Sequence, residues 1–193
     1  MMALCGVFIG VDKYSDPRAQ ELTAARRDAT ALWALFCDTI PQMKAHLLCN
    51  EHATKEKISS VLSRSLESAN QEDVVVIFFS GHGSRDHRLI CFDTMKETLA
   101  DTTISMDSLA DAFKHSKAKA VLLVLDCCFS GKAPARVMED TPVVRDGSIS
   151  WESLAGKGRI IISASATNEV ALEAPGGHGL LSSAILEAMQ SSQ

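Results

Sequence analysis

The stretch Val121-Leu122-Leu123-Val124-Leu125-Asp126-Cys127-Cys128-Phe129-Ser130-Gly131 decides the architecture. Five aliphatic residues run without polar alternation, the pattern of a parallel strand covered on both faces. The run ends in an acid, two cysteines and a glycine-bearing turn. A second stretch is built the same way: Val74-Val75-Val76-Ile77-Phe78-Phe79-Ser80 is followed by Gly81-His82-Gly83. Leu4 to Val11 and Arg159 to Ala164 read as two further buried strands, and Ala45 to Cys49 as a weaker one. Helical spacing fills the intervals. Leu22, Ala25, Ala29, Leu32, Trp33 and Phe36 recur at three, four and seven. Ile58, Val61, Leu62 and Ala69 follow Thr54, a predicted N-cap. Leu109 and Phe113 follow Ser105, and Leu180, Leu181, Ala184, Ile185 and Met189 mark a last helix. Strands alternating with helices predict an α/β fold with a mostly parallel central sheet and helices on both faces.

The length of 193 residues suits a single domain over 1–193. Apolar residues at 46 %, charged residues at 22 % and a net charge of −5 are those of a globular protein without the concentrated positive charge that nucleic acid requires. No apolar run approaches the roughly 20 residues needed to cross a bilayer, and the N-terminus lacks the basic region of a signal peptide. Six scattered cysteines (Cys5, Cys37, Cys49, Cys91, Cys127, Cys128) form no C-x-x-C pair. They predict free thiols in a reducing cytoplasm and no structural zinc site. Lys132 to Gly158, with Pro134, Pro142 and Gly147, lacks periodicity and reads as an exposed loop.

In an open parallel sheet, ligands bind beyond the carboxyl ends of the strands. The sequence puts His82 after one strand and the Cys127-Cys128 pair after another, at the same edge. A thiol and an imidazole are the minimum for nucleophilic attack on a carbonyl. Alternation along the strand turns Asp126 and Cys128 to one side and Cys127 to the other, and likewise groups Ser80 with His82. Cys128 is therefore expected in the site and Cys127 in the core.

These residues resemble the caspase/metacaspase family of cysteine peptidases. That family sets its histidine in a Ser-Gly-His-Gly-like turn and its cysteine as the third residue of Asp-x-Cys-x-Ser-Gly or Gln-Ala-Cys-x-Gly. The two lie about 50 residues apart in caspases; here 46 residues separate His82 from Cys128. Gly6 to Tyr14 is similar to the family's first strand and turn, Arg27-Asp28-Ala29 to its Asn-Asp-Ala element, and Ser163 to Thr167 with His178 to Leu181 to its last core strand and helix. The resemblance spans the chain. It implies a caspase-like three-layer sandwich, Cys128 as nucleophile, His82 as the partner that polarises the scissile bond or assists proton transfer to the leaving amine, and an oxyanion hole from the N–H groups of Gly83 and Cys128.

Caspases bind Asp with Arg and Gln, whereas metacaspase-like members bind Arg or Lys with acids. Here Asp126 stands two before the nucleophile, Asp28 takes the place of the second acid, and Ser80 lies between. Two carboxylates repel an acidic side chain and pair with a guanidinium, so the substrate expected is a protein or peptide with Arg, then Lys, before the cut. Caspases carry a pocket arginine a few residues before the equivalent acid, and Arg26 and Arg27 stand there. The loop after the nucleophile corresponds to the linker that caspases cleave, which makes Arg136 and Arg145 candidate self-cleavage points. No cofactor is required. The calcium of many metacaspases would call on acids such as Asp93 and Asp107, but Met106 stands where a paired acid is expected. The chain stops at Gln193, short of the strand through which caspases dimerise, so a monomer, or a domain served by an activator protein or regulatory domain, is expected.

His82 or Cys128 alone would read as a loop histidine or a buried thiol; their joint placement carries the catalytic reading. Asp28 alone would read as a helix cap. Asp126 resembles the acidic end of a Walker B strand, but G-x-x-x-x-G-K-[ST] is absent. His46, His52, His87, His115 and His178 read as surface residues, His178 in a glycine-rich loop within reach of substrate. The competing reading is a catalytically silent caspase-like interaction module of a signalling or defence complex; such modules usually lose Cys or His, and both are present here. A receiver- or flavodoxin-like domain shares the sheet and explains neither glycine-flanked motif.

Overall fold

The computed structural model describes residues 2–84, 86–127, 157–164 and 177–191. Five parallel strands form the main sheet: β1 (Leu4–Gly10), β2 (Lys44–Cys49), β3 (Val74–Ser80), β6 (Ala120–Asp126) and β7 (Arg159–Ser163). Their order is β2-β1-β3-β6-β7. β4 (Arg88–Ile90) and β5 (Thr103–Ser105) make a small antiparallel pair beside it. The helices are α1 (Ala25–Thr39), α2 (Lys55–Ser68), the short α3 (Leu99–Thr102), α4 (Met106–His115) and α5 (Leu180–Gln190).

Alternation along the central strands divides the core in two. Val7, Ile77, Phe79 and Leu123 pack with Ile58 and Leu66 of α2 and Phe113 of α4. Phe8, Phe78 and Val124 pack with Leu32 of α1 and Leu181 and Ile185 of α5. The expected three layers are present, with all-parallel pairing between the long strands. α1 lies so close to β1 that a Cβ at Gly10 would collide with the Ala25 carbonyl oxygen. The Thr54 hydroxyl accepts the Lys57 N–H at 3.3 Å, and Ser105 accepts Ser108 N–H at 3.1 Å, so both polar residues cap the helices they precede.

The structure departs from the sequence reading at two places. β4 and β5 are three residues each, too short to leave an alternation signal. β7, read as covered on both faces, is the outermost strand among the described residues, with Ile160 55 % and Ile162 39 % exposed. An aliphatic run alone does not separate a central strand from an edge strand. The predicted loop lies outside the described residues except for Lys157 and Gly158, as do Cys128, Arg136 and Arg145.

The order β2-β1-β3 reverses direction at β1, which makes the gap between β1 and β3 the topological switch point. The ladder sets Gly10 beside Ser80 and Ser80 beside Asp126. Residues 82 and 128 thus each stand two positions beyond one rung of the sheet.

Candidate active site

His82 leaves β3 at this switch point, and the loop from β1 to α1 wraps over it. The Tyr14 hydroxyl donates to the Val11 carbonyl at 2.9 Å and accepts the His82 backbone N–H at 3.0 Å. The two rings stack at 5.2 Å between centroids with 25° between planes. On its other side the imidazole Nε2 lies 2.8 Å from the Gln20 carbonyl oxygen. A carbonyl only accepts, so Nε2 carries the hydrogen and the neutral ring keeps its lone pair on Nδ1. The ring is buried, with 7 % of the residue exposed.

The loop that supplies Tyr14 and Gln20 is anchored at several points. Asn50 Oδ1 accepts the Asp12 and Lys13 N–H groups at 2.9 and 3.2 Å. The fully buried Asp16 carboxylate accepts Arg18 N–H, Nε and Nη2 at 3.0, 2.8 and 2.7 Å and Lys96 N–H at 3.1 Å. Hydrogen bonds from the Arg18 guanidinium hold its carboxyl well below the usual range. Arg18 also forks onto Glu97, tying the loop to the segment before α3.

Gly83 faces Leu89 across an antiparallel bridge. The bonds of that bridge are Ile90 N–H to His82 O and Ser84 N–H to Arg88 O, both 3.0 Å or shorter. They flank Gly83 on either side, so its own N–H points away from β4.

Asp28, Ser80 and Asp126, expected to form one pocket, come from α1, β3 and β6 and do meet. The Ser80 hydroxyl donates to Asp28 Oδ2 at 3.4 Å. The segment entering α5 covers both acids. Gly179 N–H donates to Asp28 Oδ2 at 3.1 Å, and His178 Nδ1 lies 2.6 Å from Asp28 Oδ1. Ser182 gives its N–H and hydroxyl to Asp126 Oδ2 at 3.1 and 2.6 Å. A Cβ on Gly179 would run into the Asp126 carboxylate, so this approach needs glycine. Carboxylates at a helix N-terminus meet its open N–H groups and the positive end of its dipole. Burial nonetheless pushes the Asp28 carboxyl up, against the bonds from His178 and Gly179.

Neither preceding arginine turns into this pair. Arg26 is exposed, its Nε 4.0 Å from Asp12, and Arg27 Nη1 donates to the Gly177 carbonyl at 2.9 Å. Cys127 is buried in the larger core beside Leu125, as its parity required. Of the acids considered for calcium, Asp93 accepts the Lys55 N–H at the start of α2 at 2.8 Å. Met106 is fully buried, and no cluster of three or more metal-ligating side chains occurs among the described residues.

Three contributors escaped the sequence reading. Gln20 acts through its carbonyl, which no side-chain motif reveals. Tyr14 was visible only as part of the first turn. His178, read with the surface histidines, instead bonds a buried carboxylate.

A family model described as the caspase domain matches residues 3–193. The chain belongs to the caspase family of cysteine peptidases. Among solved structures, this caspase-family chain is similar to protein GSU0716 from Geobacter sulfurreducens, with a TM-score of 0.72 at 16 % identity, over 98 % of this chain and 83 % of that one. That likeness is one of fold. No curated protein sequence matches. No helix among the described residues is long and apolar enough to cross a membrane.

Proposed function

We propose that the chain is a cysteine endopeptidase that cuts after Arg, and second after Lys, with Cys128 as nucleophile and His82 as its partner. The observation that carries the reading is the imidazole's orientation. Its Nε2–H is bound to the Gln20 carbonyl, which leaves Nδ1 as the basic nitrogen, and in sequence residues 82 and 128 each follow the paired Ser80 and Asp126 by two positions.

In the proposed reaction, the Cys128 thiol gives its proton to His82 and the thiolate attacks the scissile carbonyl. The C–S bond forms, and the oxygen becomes an anion held by the N–H groups of Gly83 and Cys128, each donor worth roughly 3–4 kcal/mol in other proteases. His82 returns the proton to the departing amine as the C–N bond breaks. Water then hydrolyses the thioester. The Gln20 carbonyl supports the imidazolium formed in between. No step requires a metal or cofactor.

The Arg/Lys preference is supported by two carboxylates and a hydroxyl gathered at the same sheet edge, with Arg26 and Arg27 turned elsewhere. By the same logic the enzyme would cleave itself at Arg136 or Arg145, in the loop following the nucleophile. Labelling with a thiol-reactive peptide inhibitor ending in Arg tests the site. Stoichiometric modification of Cys128, lost in Cys128→Ala and strongly slowed in His82→Ala, is expected. An unlabelled native protein would favour the silent interaction module.

A further inference from the structure

His178 is the one histidine in the acid pocket, and the proposed chemistry does not use it. Its Nδ1 is 2.6 Å from Asp28 Oδ1, while 30 % of its side chain remains exposed. Asp28 is only 1 % exposed. Its other oxygen accepts from Gly179 N–H and the Ser80 hydroxyl, so Asp28 is fixed in place and holds the imidazole from behind. With Asp28 ionised, Nδ1 carries the hydrogen. The lone pair then sits on Nε2, the ring nitrogen not bound to Asp28. We propose that His178 is a specificity-determining residue, accepting through Nε2 a hydrogen bond from the guanidinium of a substrate arginine whose charge is met by Asp126.

The inference rests on the proposed cleavage after basic residues and says which basic residue is chosen. A guanidinium offers five N–H groups in a planar fork, enough to serve Asp126 and His178 at once; an ammonium is a compact point donor. His178 thereby favours Arg over Lys.

Two substitutions separate the roles of the two ring nitrogens. His178→Asn keeps an N–H near the place of Nδ1 and removes Nε2; His178→Gln keeps a polar group near Nε2 and gives up the bond to Asp28. Each is made in Cys128→Ala protein, so that binding is read without turnover. The Kd of labelled peptides with Arg or Lys before the scissile bond is measured by fluorescence anisotropy at pH 8, with thermal unfolding as a check on the fold. The expected result is an Arg-over-Lys preference of about tenfold, comparable to the loss of one hydrogen bond to a charged group. In His178→Asn the preference collapses while the melting temperature holds. A folded His178→Asn protein that keeps the preference would overturn the inference and leave the peptidase reading intact. If instead the wild-type enzyme cleaves after Asp in preference to Arg, the basic-residue reading falls and this inference with it.

Discussion

His82 is oriented through the main chain, by the Gln20 carbonyl on one side and the Tyr14 hydroxyl on the other. Tyr14 is the more exposed to test. Burial drives its phenol far above the usual tyrosine range, so it remains a neutral hydroxyl, donating to Val11 and accepting from His82. Tyr14→Phe preserves the stacked ring and leaves both partners unmet, at about 1–3 kcal/mol. Thermal unfolding should show that loss, and kcat should fall at least tenfold with KM little changed. A rise in KM with kcat unchanged would mean that Tyr14 touches substrate rather than positioning His82. Asp16 gives a prediction in pH. Its carboxyl ionises at lower pH in the fold than in the unfolded chain. As acid is added, the unfolded chain therefore takes up this proton first. The stabilisation is complete above the ordinary aspartate range near pH 4 and is lost progressively as pH falls below it toward the depressed native value. Asp16→Asn should lower the melting temperature near neutrality and flatten its decline toward about pH 3; parallel melting curves for wild type and variant would refute this.

At the level of elements, Arg159 joins what the sequence separates. From the first residue of β7, Nη2 donates to the Phe113 and Ser116 carbonyls at the end of α4 at 3.1 and 3.0 Å. Nη1 reaches the Ala118 and Gly158 carbonyls at 3.1 and 3.4 Å. The guanidinium thus closes the C-terminus of a helix and the base of the β6–β7 pair together. Arg159→Lys, which keeps the charge but loses the fork, should destabilise by about 1–3 kcal/mol in denaturant unfolding without altering the Arg-to-Lys cleavage ratio. An unchanged midpoint would mean that these bonds add nothing net. The same elements show what could be read beforehand. Among the described residues, the four helices of two turns or more are marked by apolar periodicity, and two of them by polar caps at Thr54 and Ser105. The buried strands declared themselves by continuous aliphatic runs. β4 and β5 did not, because three residues cannot show a period and their pairing is decided by tertiary contact. The convergence of Asp28, Ser80 and Asp126 was legible from strand ends and resemblance. The covering of both acids by His178, Gly179 and Ser182 was not, because it depends on how α5 docks.

For the molecule as a whole, the sheet order gives the site its position. The reversal at β1 opens a crevice between β1 and β3, and three segments that are distant in sequence close around it: the β1–α1 loop, the turn after β3 and the entry to α5. Each segment contributes backbone as much as side chain, which explains why a sequence with glycines at 81, 83 and 179 builds it. A thiol peptidase with an acidic pocket should show itself in initial rates on matched fluorogenic peptides ending in Arg or Asp, for wild type and Cys128→Ala side by side. Hydrolysis after Arg, little or none after Asp, and no turnover of either by Cys128→Ala are expected. Preference for Asp, or cleavage that survives Cys128→Ala, would overturn the reading.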